Sequence, residues 1–136
     1  MNRSVVLLLL IAVLAGSIWG CGMMQQKKGK EHAVEYTVLG EDQIPDEIRK
    51  VVDVKKQEEF QMTYQSEKEL FLIKGYGQQM SGGYSIQVKD MYLTKDAIYI
   101  DTELLGPESA EQAGTEKSYP YIVVKTKYLE EPVIFQ

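Results

Sequence analysis

The chain has 136 residues, with 20 acids against 15 lysines and arginines, a net charge of −5, one histidine and one cysteine. So acidic a chain argues against nucleic acid as a partner and against flat adsorption on anionic lipid. One cysteine allows no intrachain disulfide, and with one histidine beside it there is no zinc site of the usual ligand types. No metal or cofactor is expected.

The chain opens with one base, Arg3, then the apolar run Val5–Ala15, then the small residues Gly16 and Ser17. That order of charge, short apolar core and small residues describes a secretory signal. A membrane-spanning helix needs about 20 apolar residues, and glycines interrupt this run before it reaches that length. Ile18-Trp19-Gly20-Cys21 resembles the lipobox of bacterial lipoproteins, with Trp19 where that family usually has a small residue. The resemblance implies a signal peptide over 1–20 and a diacylglycerol on the sulfur of Cys21. It places the protein outside the cytoplasm, in a bacterial cell envelope, anchored to membrane by lipid. One acyl chain binds only marginally, so stable anchoring takes two or more.

Residues 21–32 carry no apolar period and read as a flexible tether, with an r.m.s. reach of roughly 20 Å. From 33 to 136 the expectation is a single β-rich domain. Val34, Tyr36 and Val38 alternate with Glu35 and Thr37, which predicts a half-buried strand over 33–39. Pro45, with Asp46 and Glu47 after it, marks a helix start. Ile48, Val51 and Val52 share one face, and lysines gather at the far end, so the spacing predicts a helix over about 45–57.

Beyond it the period changes to two. Phe60, Met62 and Tyr64 alternate with polar residues, and Leu70–Lys74 is apolar enough to be buried on both faces. Tyr84, Ile86 and Val88 alternate again, Ala97–Leu105 is a strand, and Gly106–Ser118 is a polar loop holding Pro107 and Gly114. Tyr119-Pro120-Tyr121 leads into a Val-rich strand, and Val133-Ile134-Phe135 closes the chain as a short edge strand. Strands this closely spaced leave no room for crossover helices. The fold class expected is mainly β within α+β: a small antiparallel sheet or sandwich with one N-terminal helix. A sandwich and a single sheet with the helix across it both fit the pattern.

Most catalytic chemistry fails for want of residues, so no enzyme is expected. His32 lies in the tether, where a Ser-His-Asp triad has no use for it, and a lipidated Cys21 is no nucleophile. The doublets Glu58-Glu59 and Glu130-Glu131 point their members to opposite faces on an extended strand; a carboxylate pair brought together from distant positions stays open as a cell-wall hydrolase. The glycine-rich stretch Gly75–Gly83 has Met80 where a dinucleotide fingerprint needs glycine and lacks the Gly-Lys-Ser/Thr of a P-loop. It is either an ordinary connection between two strands or a recognition loop offering Gln78, Gln79, Met80 and Ser81 at an exposed tip. Pro120 belongs at a strand start or edge. Tyr119 and Tyr121 then share a face and are expected to pack across the sheet against Tyr84 or Tyr99.

Gly77-Gln78-Gln79-Met80-Ser81-Gly82-Gly83-Tyr84 resembles the signature of the PrcB C-terminal family, in which a Ser/Thr-Gly-Gly-Tyr stretch precedes an alternating strand. Pro107 and then Tyr119-Pro120-Tyr121-Ile122-Val123-Val124 follow in that family's order, and the resemblance covers roughly 70–127. The family is named for a lipoprotein subunit that assists a surface protease. The resemblance therefore implies a non-catalytic, protein-binding accessory or stabilising subunit, its partner an exported protease or another envelope protein. A fold-level analogy with small β-sandwich protease inhibitors keeps inhibition through the glycine-rich loop as the alternative.

Overall fold

Alternation of apolar and polar residues at period two builds sheets with one buried face, and β-branched runs build strands buried on both. Both occur in this protein. The computed structural model describes residues 32–136. The apolar segment 1–20, Cys21 and the tether up to residue 31 lie outside the described residues, so the signal and lipidation expectations do too.

Among the described residues eight strands form two four-stranded sheets. They are β1 (His32–Ala33), β2 (Thr37–Val38), β3 (Glu59–Gln65), β4 (Glu69–Tyr76), β5 (Ser85–Leu93), β6 (Ile98–Leu105), β7 (Tyr121–Lys127) and β8 (Val133–Phe135). One sheet has the order β1-β5-β6-β8 and the other β2-β7-β4-β3. Helix α1 (Asp46–Lys55) lies between β2 and β3 in sequence, and a four-residue helix, α2 (Ala110–Ala113), sits between β6 and β7.

Strand β4 is the centre of the packing. Leu70 and Leu72 join Ile122 and Val124 of β7 against Met91, Ile98 and Ile100 of the facing sheet. Phe71 and Ile73, one residue out of phase, join Val123 against Ile48 and Val52 of α1 and Ile44 before it. The architecture is a two-sheet sandwich with a helix on the outer face of one sheet, which decides for the sandwich over the single sheet. Pro45 stands just outside α1, and its carbonyl accepts from the Ile48 N–H at 3.1 Å. Asp46 and Glu47 occupy the positive first turn and Lys55 the negative last turn, as the helix dipole favours.

Two expectations are corrected, and β5 adds a feature that its alternation did not show. The strand over 33–39 is split between the two sheets, because the chain crosses from one to the other there. Val34 packs in the inter-sheet core, its N–H donating to the Met91 carbonyl, while the Leu39 N–H donates to Val123. Buried Thr126 holds the crossing, its hydroxyl donating to the Glu35 carbonyl at 2.9 Å. Val38 and Tyr36, expected inside, are exposed. In β5 the inward set changes parity, from Ile86 and Val88 to Met91 and Leu93, because the register with β6 shifts between Val88 and Asp90. Such a bulge inserts one residue and re-aims the rest of the strand. Finally, β8 runs parallel to β6, whereas the β2–β7, β3–β4, β4–β7 and β5–β6 pairs are antiparallel. The chain leaves β6 for β7 in the other sheet before returning, so this pair needs no crossover helix within its own sheet.

Candidate interaction site

The glycine-rich stretch starts inside β4, since Gly75 and Tyr76 are strand residues. Its free part, 77–84, enters and leaves on left-handed glycines, Gly77 at φ 77° and Gly83 at φ 81°. Side chains other than glycine's rarely accept that backbone. At Gly83 space is closed as well: a β-carbon there would lie 2.7 Å from the Gln112 carbonyl oxygen and 2.8 Å from Pro107 Cβ.

The loop is tied down along its length by the second loop, 106–118. Gln79 and Ser118 exchange backbone hydrogen bonds of 2.8 and 3.1 Å, and the Gly82 N–H donates to the Ala113 carbonyl at 2.6 Å. The Ser118 hydroxyl donates to the Ser81 carbonyl at 2.6 Å. The Gln79 side chain turns back to donate to the Tyr76 carbonyl at 3.2 Å. Gln79 and Ser81 are therefore half-buried rather than exposed at the tip, where Gln78 and Met80 remain, the latter 72% exposed. Tyr84 lies beside Gly106, where a β-carbon would stand 3.8 Å from its ring.

The Tyr119-Pro120-Tyr121 motif meets the same loop from the other side. The Pro120 carbonyl accepts from the Tyr76 N–H at 3.0 Å, and the Tyr119 hydroxyl donates to the Gln78 side chain at 3.5 Å. Lys56, just past α1, holds its ammonium 5.2 Å from the centre of the Tyr119 ring. Tyr121 packs with the helix-side core instead. Burial first, and then the negative charge of Glu41, raise its phenol above the usual tyrosine value; Asp53 adds to this and Arg49 opposes it. Among the described residues neither tyrosine forms a ring pair with Tyr84 or Tyr99, the packing the sequence led one to expect. Tyr121 opens β7 and packs on the helix side, Tyr119 precedes that strand, and Tyr99 belongs to the other sheet and stacks on Tyr92 at 5.0 Å.

Sequence reasoning missed α2, and with it Pro107 and Gln112 as the residues that close on Gly83. A signal was present. Ser109 and Gln112 have the spacing of a helix-capping pair, and the Ser109 hydroxyl accepts from the Gln112 N–H at 3.2 Å. No group of three or more His, Cys, Asp or Glu side chains able to hold a metal occurs among the described residues. Glu59 is paired with Lys74 at 2.8 Å, and Glu69 with Lys125 at 3.1 Å. Two open clefts, one bounded by Val34–Thr37, Lys125 and Thr126 and the other by Val54, Lys55 and 57–60, contain none of the loop residues.

Residues 70–127 match the family model described as PrcB C-terminal. This stretch, from β4 through β7, is similar to that family's domain, and it contains both loops and the Tyr-Pro-Tyr motif. Neither the curated proteins nor the solved structures compared with the chain gave a match.

Proposed function

We propose that the protein is a lipid-anchored, extracytoplasmic, non-catalytic binding subunit that serves an exported protease or another envelope protein, with Gln78 and Met80 as its first contacts. The observation that carries this reading is the docking of the glycine-rich loop onto 106–118. A flexible loop loses conformational freedom on binding. This one is already held by backbone bonds on both sides, and it lifts an adaptable thioether and an amide away from the surface. Exposed methionine suits protein recognition because it is unbranched and polarizable. The PrcB C-terminal match supports a protease-associated setting. Apolar residues 5–15 and Cys21 support an anchored one.

Two measurements test it. Cells fed labelled palmitate are expected to label the wild-type chain and not Cys21→Ser; label in both would remove the anchor. Affinity capture of the intact lipoprotein is expected to recover a secreted protease or envelope protein, and recovery to fall when Gln78 and Met80 are both alanine. Capture unaffected by that pair would move the contact elsewhere.

A further inference from the structure

We propose that β3 is the seam of a symmetric homodimer, in which two copies of the chain pair their β3 strands antiparallel and join their helix-bearing sheets into one. Exposed sheet edges are ordinarily blunted by shortness, lysine, proline or bulges. Three of the four edges follow this rule among the described residues: β1 and β2 have two residues each and β8 has three. Strand β3 does not. It has seven residues in unbroken register with β4, and from Phe60 to Gln65 it carries no charge and no proline.

Its outward-facing backbone can be identified. The Ser66 N–H donates to Glu69 across the turn, and the Tyr76 N–H and the Lys68 carbonyl bond to the β7 side. Odd residues of β4 thus bond toward β3, and their partners on β3 are the even ones, Phe60, Met62 and Tyr64. Alternation then turns the N–H and C=O groups of Gln61, Thr63 and Gln65 toward the free edge.

The occupant is argued from the strand's own near-palindrome. With the twofold axis on Met62, Gln61 faces Thr63 of the second copy and Gln65 faces Glu59. Every outward N–H and C=O of these residues meets a partner. Phe60 then stands opposite Tyr64 of the second copy in a non-hydrogen-bonded pair, where side chains approach most closely, and both are only half-buried within one chain. The one charged residue, Glu59, meets an amide and is already neutralised by Lys74, so no like charges oppose each other. A twofold axis through such a pair makes a closed interface.

The test is sedimentation of the full chain in density-matched detergent over a range of concentrations. Wild type is expected to sediment as two chains. Gln61→Lys with Thr63→Lys sets lysine against lysine twice across the seam, on side chains that are exposed within one chain. It is expected to weaken association about tenfold or more with an unchanged unfolding transition. Gln61→Glu with Thr63→Lys sets opposite charges there and is expected to restore the dimer. A wild-type chain that stays single up to its solubility limit, including one whose β3 amides become protected only when another protein is added, overturns the proposal. So does a lysine pair that leaves the dimer intact.

Discussion

The Ser118 hydroxyl donates to the Ser81 carbonyl at 2.6 Å, joining the glycine-rich loop to the residue that leads into the Tyr-Pro-Tyr motif. It lies beside the paired backbone bonds of Gln79 and Ser118. Removing one partner of such a bond costs about 1 kcal/mol. Ser118→Ala is expected to lower the unfolding free energy by about that much and to speed amide exchange at Gln79 and Gly82. Exchange unchanged at both amides would mean that the loop holds its shape without the staple.

Gly83 and Gly82 are neighbours with different constraints. Alanine at 83 must adopt a left-handed backbone and push against the Gln112 carbonyl and Pro107. Strain and overpacking together are expected to cost about 3 kcal/mol. At 82 a β-carbon meets only the Ala113 carbonyl oxygen, at 3.3 Å, so Gly82→Ala is expected to cost about 1 kcal/mol or less. Denaturant titration of the two variants distinguishes them; equal losses would contradict the docked geometry of the second loop.

Tyr121 sets an alkaline limit. Its folded phenol titrates above the unfolded value of about 10, for burial and Glu41 both disfavour the phenolate. The folded state therefore holds its proton where the unfolded chain has lost it. That contribution to stability is complete below about pH 10 and is lost as pH rises through the folded value. Tyr121→Phe is expected to flatten the fall in stability above about pH 10, and Glu41→Gln to bring the phenol's titration down. Stability curves of wild type and Tyr121→Phe that run parallel through the alkaline range would contradict this.

Gln78 and Met80 contribute little to the fold: the loop is held by its backbone, Met80 is exposed, and the Gln78 side chain makes only the long, exposed 3.5 Å bond from the Tyr119 hydroxyl. Replacing both with alanine is expected to change stability by no more than about 0.5 kcal/mol, as read by thermal unfolding, while capture of the partner falls. A large loss of stability would show that their side chains pack in ways the exposure of Met80 does not indicate.

Much of the fold was legible because its signals are local. The helix at 46–55 follows from Pro45, the acids after it and the spacing of Ile48 and Val52. The double burial of β4 follows from the unbroken Leu70-Phe71-Leu72-Ile73 run. What was not legible depends on which sheet a residue joins. Val34 and Leu39 lie in one alternating stretch yet serve different cores, and no pattern within that stretch marks the crossing. The bulge beyond Val88 is equally silent, because Lys89 and Asp90 read as one more polar pair. The site shows the same division. The two motifs could be found one by one, but their meeting through Gln79–Ser118 and Gln78–Tyr119 is a tertiary fact. It turns an apparently free tip into a half-buried one.

The central claim is that the docked loop carrying Met80 is where a partner binds. A photo-crosslinking residue at position 80, in cells making the full-length chain, tests it most directly, with the same residue at Lys95, in the turn at the opposite end of β5, as reference. The account predicts one discrete adduct with an exported protease or envelope protein from position 80 and none from position 95. No adduct from position 80, or the same adducts from both positions, would contradict it.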